Sequence, residues 1–305
     1  MNLYLINYKE IYEQLYRLEM RHLLGFEPKD KYFITTKDID VNASTFFKGV
    51  LSLEFSASSL EELTEQVKSA SISYESYKIE FIKLDQDVNY ETRLKAMHDI
   101  GYAIDGEFLK SGAKTTLRVT KLDGVWYFGM YQRNSAEWQN RISKPHHYSI
   151  ALETRLARTL VSIASTYGSR LVDPCCGIGT VVIEAKQMGY NIEGYDINRK
   201  VVWYSRQNLE HYKLKADTQV SDIANINQVY DVAIVDLPYG KFVKQDKEMQ
   251  STIFEHAKKV ASVVIFVAME DKQNEFNHFG YQVLDYCVVP KVNQFKRYIY
   301  VTRGV

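Results

Sequence analysis

Proline and cysteine are scarce in this chain of 305 residues, with five of the first and three of the second. Three thiols, two of them adjacent at Cys175 and Cys176, cannot build a disulfide framework. The seven histidines do not fall into metal-ligand spacing with them, and His146-His147 is their only cluster, so no metal site is expected. So few prolines, with only 15 glycines, exclude collagen-like and low-complexity chains. Net charge is missing too: 38 basic side chains balance 38 acidic ones, which excludes a polybasic binder. Long apolar runs are also lacking. The longest, Val260 to Met269, is about half of what a bilayer-spanning helix needs. From Lys9 onward apolar and charged residues alternate, unlike a secretion leader. A reduced, cytoplasmic setting is the expectation. What is present is 46% hydrophobic residues over a length that suits two domains, each with its own core.

The pattern changes along the chain. Residues 1–133 mix helices and strands without regular alternation. Tyr12 to Leu24 predicts a helix stopped by Gly25, and Ser58 to Val67 a helix with a capping box. Thr92 to Ile104 predicts another helix, and Tyr77 to Leu84 alternates as a strand. Leu117 to Leu122 and Val125 to Tyr131 flank Asp123-Gly124, the mark of a hairpin. Residues 134–149 are polar and aperiodic and read as a linker. From residue 150 to 305 strand and helix alternate, which predicts a parallel sheet covered on both faces. Two closing strands, Gln282 to Val289 and Phe295 to Thr302, should add an antiparallel hairpin.

Two loops in that second region carry chemistry. Asp173-Pro174-Cys175-Cys176-Gly177-Ile178-Gly179-Thr180 joins the first strand to the next helix. Its glycines allow close backbone approach to a ligand. A dinucleotide site would want a small residue where Val182 stands, and no Lys-Ser or Lys-Thr pair follows for phosphates. Asp196, 19 residues beyond Gly177, ends the next strand, where a carboxylate can accept both ribose hydroxyls with Ile197 beside an adenine face. Asp222 and Ile223 end the third. Acids at three successive strand ends suit S-adenosylmethionine better than NAD. The expected cofactor contacts are Asp173, Pro174, Cys176, Gly177, Gly179, Thr180, Asp196, Ile197, Asp222, Ile223 and Asp236.

The fourth strand ends in Asp236-Leu237-Pro238-Tyr239-Gly240. An exocyclic amine on a planar base is a poor nucleophile because its lone pair is delocalised. The Asp236 carboxylate and the Leu237 carbonyl can hold its two N–H bonds, and Tyr239 can stack on the base. Asp236, Leu237, Pro238 and Tyr239 are therefore the expected catalytic loop. Cytosine-C5 methylation would need a cysteine here, and none is present.

Read together, these loops resemble class I amino-methyltransferases, and most closely the THUMP-linked tRNA guanosine-10 N2-methyltransferases of archaeal and eukaryotic type. The resemblance runs over Lys144 to Ser149, Arg155-Leu156-Ala157, Asp173 to Thr180, Glu184-Ala185, Tyr195-Asp196-Ile197 and Asp236 to Gly240. It thins over the first 133 residues. The family's usual loop is Asp-Pro-Pro-Tyr, and Leu237 replaces its first proline while keeping the carbonyl. Cys175 stands where an aromatic is common. The resemblance implies a Rossmann-like methyltransferase domain preceded by a smaller α+β THUMP-like domain. It also implies S-adenosylmethionine as cofactor and tRNA as substrate, gripped by the N-terminal domain.

Zero net charge hides a skew that bears on that substrate. Residues 1–100 carry 12 basic and 17 acidic side chains, whereas residues 108–148 carry seven basic and two acidic, and four more cations follow Tyr286 without an acid. Lys110, Lys114, Arg118, Arg133, Arg141 and Lys144 are the expected phosphate contacts. Competing readings are methylation of ribosomal RNA guanine, DNA adenine or a protein amide, or an inactive RNA-binding protein.

Overall fold

The computed structural model describes residues 1–85, 87–148, 151–238, 245–290 and 296–305. The chain forms two units: Met1–Asn7, Pro28–Asn42 and Phe47–Ser135 in one, and Tyr8–Glu27, Ala43–Phe46 and Ala136–Val305 in the other.

The first unit is α+β. Its strands are β1 (Asn2–Ile6), β2 (Tyr32–Thr35), β3 (Phe47–Ala57), β4 (Ser73–Ile82), β5 (Asp105–Phe108), β6 (Thr115–Leu122) and β7 (Val125–Arg133). They form one mixed sheet in the order β2-β1-β3-β7-β6-β4-β5. The expected hairpin is β6–β7, with Asp123 and Gly124 both at positive φ as its two-residue turn requires. Helix α1 (Glu13–Leu24) belongs to the second unit, while α2 (Leu60–Ser69) and α3 (Tyr90–Tyr102) belong to this one. The capping box of α2 sits one residue later than its pattern suggested. Ser59 Oγ accepts the Glu62 N–H at 3.1 Å, and the Glu62 carboxylate accepts the Ser58 N–H at 3.1 Å. Leu63, Val67, Ala96 and Ile100 from the helices meet Leu117, Val119, Trp126 and Phe128 in the core.

The second unit holds α4 (Thr154–Ala164), β8 (Arg170–Asp173), α5 (Thr180–Gln187), β9 (Asn191–Asp196), α6 (Arg199–His211), β10 (Thr218–Val220) and β11 (Tyr230–Asp236). Then come α7 (Gln245–Val260), β12 (Ala261–Ala268), α8 (Gln273–Phe279), β13 (Tyr281–Pro290) and β14 (Lys296–Gly304). The strand order is β10-β9-β8-β11-β12-β14-β13. It is parallel from β10 to β12, and β14 runs antiparallel to both its neighbours, so the expected closing hairpin is present. Strand order reverses direction at β8 and β11. Ligands of such sheets bind in the crevice beyond the carboxyl ends of those strands. Among the described residues no helix is long and apolar enough to cross a membrane.

Helix α1 departs from the expected grouping of residues 1–133. It is tied into the second unit at both ends: Tyr12 donates to the Glu153 carboxylate at 2.9 Å, and Arg21 donates twice to Asp285 at 2.7 and 2.8 Å. Between them Glu19 is fully buried and accepts the Ser44 hydroxyl at 2.5 Å. Burial pushes its carboxyl up to about 7, against the lowering effect of the Ser44 and Ser162 hydroxyls and of Arg158 and Arg155. A carboxyl raised in the folded state contributes stability that is full below its unfolded value and lost as pH rises through about 7. Glu19→Gln should therefore match the wild type near pH 4.5 but exceed it by about 1–3 kcal/mol at pH 8. Urea midpoints at the two pH values check this, and equal midpoints at pH 8 would refute it.

Candidate active site

The first loop is built by the strand-to-helix turn after β8. Asp173 is buried, and its Oδ1 accepts the Cys175 N–H at 3.2 Å. Gly179 closes the turn at φ +82°, where a Cβ would lie 2.3 Å from Ser205 Oγ. Val182 occupies the place where dinucleotide loops carry a small residue, yet α5 still seats closely on the sheet. Gly194 on β9 makes the room: a Cβ there would meet Val182 Cγ2 at 2.9 Å and Cys176 at 3.2 Å. The small residue has moved from helix to strand. At the end of β9, backbone amides fix both oxygens of Asp196, Gly177 N–H donating to Oδ2 at 2.9 Å and Asn198 N–H to Oδ1 at 2.8 Å.

These strand ends enclose a cavity of about 700 Å³. Asp173, Pro174, Cys176, Gly177, Thr180, Asp196, Ile197, Asp222, Ile223, Asp236, Leu237 and Pro238 all line it. Gly179 shapes the turn without lining the cavity, and Tyr239 lies outside the described residues. Tyr148, Asn198 and Val201 also line it, as do Glu248, Met249, Thr252 and Ile253 from α7. The α7 set carries no signal in the sequence, because nothing local brings that helix to the two loops. Asn198 had a readable signal, an Asn immediately before a helix, and its side chain accepts the Lys200 N–H. A larger cavity, about 880 Å³, opens at the start of β9 among Lys186, Glu193, Arg206 and Asp217, away from both loops.

The electrostatics of the 700 Å³ cavity are one-sided. Asp173, Asp196, Asp222, Asp236 and Glu248 line it, and among the described residues no Lys, Arg or His does. Burial raises the Asp173 carboxyl well above the usual range, with Asp236 and Asp196 adding to the rise and the Cys175 amide opposing it. Burial raises Asp196 too, against the Asn198 and Gly177 amides. Anions are therefore excluded and a cation is favoured. The cationic sulfonium and ammonium of S-adenosylmethionine fit this set. Burial and then the neighbouring carboxylates push the Cys175 and Cys176 thiols up, away from the thiolate form that a nucleophile needs.

The second loop leaves β11 beside β8. Leu237 is buried against Ile223, Val235 and Ile253. Its N–H donates to the Val267 carbonyl at 2.9 Å, which carries the pairing with β12 one residue past the strand. The Pro238 carbonyl accepts Gln250 Nε2 at 2.7 Å. A proline at 237 has no N–H to give. Leu237→Pro, although it restores the usual family loop, should thus lower stability by about 2–4 kcal/mol through the lost bond and lost apolar burial. An unchanged urea midpoint would contradict the assignment.

The expected phosphate contacts fare unevenly. Lys110, Lys114 and Arg133 are exposed, although Lys114 pairs with Glu75. Arg118 is bound to Glu80 at 2.6 Å and lies 3.5 Å over the Tyr131 ring. Arg141 and Lys144 are corrected outright, since both are buried. Arg141 makes a two-pronged pair with fully buried Glu184 at 2.7 and 3.0 Å, and Lys144 Nζ donates to Thr154 Oγ1 at 3.3 Å. Charge counting registers the cation and misses its partner.

Strand order, acid-lined cavity and paired loops define a Rossmann-like methyltransferase that uses S-adenosylmethionine. Comparison with known proteins agrees. A family model described as DNA methylase matches residues 16–207, more than half of the chain, and one described as RMKL-like, methyltransferase domain, matches residues 141–279. The chain belongs to the family of the first model, the one described as DNA methylase. Only the RMKL-like match spans both loops. The tRNA (guanine(10)-N2)-dimethyltransferase of Methanothermobacter thermautotrophicus is 26% identical over 194 residues, 60% of this chain and 57% of that protein. The U6 snRNA (guanine-N(2))-methyltransferase THUMPD2 of Mus musculus is 26% identical over 148 residues, 45% of this chain and 28% of that protein. The chain thus spans little more than half the length of the first of these relatives and less of the second. The resemblance to guanine-N2 methyltransferases read from the loops is borne out by both. Among solved structures, TrmN from Thermus thermophilus superposes with a TM-score of 0.50 at 14% identity, covering 100% of this chain and 99% of that one, which supports the fold.

Proposed function

We propose that this enzyme transfers a methyl group to the exocyclic N2 of guanine in RNA, with tRNA, at position 10 by resemblance, as the first candidate substrate. The observation that carries the reading is the meeting of two chemistries in one cavity. Five acids and, among the described residues, no cation line it, and one of those acids, Asp236, opens the Asp236-Leu237-Pro238 loop that lines it too. When bound, S-adenosylmethionine supplies an electrophilic methyl on a sulfonium. Asp196 holds the ribose, its own geometry fixed by the Gly177 and Asn198 amides. Asp173 and Asp222 face the amino and adenine ends, with Pro174, Cys176, Thr180, Ile197 and Ile223 shaping the walls and Gly179 the turn behind them. The Asp236 carboxylate and the Leu237 carbonyl accept the two N–H bonds of the amine and favour a tetrahedral nitrogen, whose lone pair is withdrawn from the ring π system and aimed at the methyl. Tyr239 stacks on the base. The first unit acts as the THUMP-like RNA-gripping region, residues 134–149 as linker, and residues 150–305 together with α1 as the catalytic domain, working in the cytoplasm. Lys110, Lys114 and Arg133 are the remaining phosphate contacts in the first unit.

A second reading, methylation of adenine in DNA, is favoured by the DNA-methylase match, but that match ends before Asp236. Incubation with labelled cofactor and, separately, unmodified tRNA, U6 snRNA, ribosomal RNA, duplex DNA and protein separates the readings. The label should enter RNA guanine. Label confined to DNA or protein would overturn the proposal.

A further inference from the structure

An aromatic surface stands at the rim of the cavity, on residues that the catalytic account leaves idle. Trp203 on α6 is 52% exposed and Tyr148 of the linker is 42% exposed. Tyr204 joins them: the His146 ring stacks on it at 4.3 Å and 28°, and Tyr148 meets it edge-on at 6.0 Å. His146 also lies 5.4 Å from the Trp203 ring. The first turn of α6 adds exposed Arg199 and Lys200, the latter 5.7 Å over Tyr204.

This surface is held firmly from beneath. Asn208, fully buried in α6, accepts the His146 N–H at 2.9 Å and donates to the His146 carbonyl at 3.0 Å and to the Ile178 carbonyl of the first loop at 3.0 Å. One side chain therefore fixes the linker both to α6 and to the cofactor loop. Tyr148, Asn198 and Val201 carry the surface directly into the cavity.

We propose that Trp203, Tyr204, His146 and Tyr148, with Arg199 and Lys200, form the platform on which single-stranded RNA beside the target guanine lies, an inference that rests on the RNA reading above. Charge complementarity selects the occupant. The cavity repels a polyanion with five acids, so an RNA backbone reaches the Asp236 loop only over a positive rim, and α6 supplies one. Exposed ring faces stack on bases of any sequence, which suits a strand whose target base must leave its own stack. The platform takes over from Arg141 and Lys144, which are buried.

Two measurements on the full chain test it. Trp126 and Trp138 are each only 6% exposed, so Trp203 is the tryptophan a ligand can reach. Oligouridine, which offers no guanine to methylate, should quench the fluorescence of the wild type and leave Trp203→Phe nearly unquenched. Trp203→Ala should raise KM for tRNA by about 5- to 150-fold with cofactor affinity unchanged, and Lys200→Glu should also raise it while flattening its salt dependence. Equal quenching of wild type and Trp203→Phe, or an unchanged KM in both rim variants, would overturn the platform even if tRNA is methylated. Quenching confined to the wild type, with no RNA methylated, would uphold the platform and overturn the RNA-methylation reading.

Discussion

Asp236→Ala should lower kcat for methyl transfer by about 10²–10³, in line with the loss of a preorganised partner in a water-poor site. Asp236 ends β11, where pairing of its neighbours with Val267 on β12 fixes the backbone. In the proposed mechanism it takes one N–H of the amine while Leu237 takes the other. Removing the carboxylate leaves an amine whose lone pair stays delocalised into the ring π system. The loss should fall on kcat, because four other acids still line the cofactor cavity. Asp236→Asn keeps one acceptor and should fall less. Single-turnover rates at saturating cofactor check both. A rate for Asp236→Ala within threefold of the wild type would remove Asp236 from the chemistry.

Glu184→Ala should cost about 3–5 kcal/mol of folding stability, a large share of what holds most domains together. Glu184 on α5 is fully buried and receives Arg141 at 2.7 and 3.0 Å and Arg158 at 3.3 Å. Two buried guanidinium groups would then share no carboxylate. Since α5 carries the cofactor loop at its start and Arg141 lies in the linker, cofactor affinity should fall with stability. Glu184→Gln keeps acceptor oxygen without charge and should lie between. Urea denaturation with and without cofactor measures both effects, and a loss under 1 kcal/mol for the alanine variant would show that the cluster is dispensable.

The second unit was far more legible in the chain than the first. Its strands end on Asp173, Asp196 and Asp236, each within two residues of a glycine or proline, and both loops lie close to strand ends, so local pattern and architecture coincide. In the first unit β3 escaped notice although Leu51, Leu53, Phe55 and Ala57 alternate. Gly49 breaks the pattern, and its reason lies far along the chain: a Cβ there would sit 2.0 Å from the Tyr131 hydroxyl. Helix α1 was readable as a helix, but its membership was not, because Glu153 and Asp285 settle it from 141 and 264 residues away. Arg141 looked like a surface cation for the same reason, since Glu184 lies 43 residues further on. Long-range partners, which no local count registers, separate buried charge from binding charge.

The central claim is chemical, and mass mapping of nucleosides tests it most directly. Unmodified tRNA incubated with the enzyme and S-adenosylmethionine should yield N2-methylated guanosine at one position, and Asp236→Ala should lose it. Methyl groups on adenine, on cytosine or on a ring nitrogen of guanine, or none on any RNA, would contradict the account.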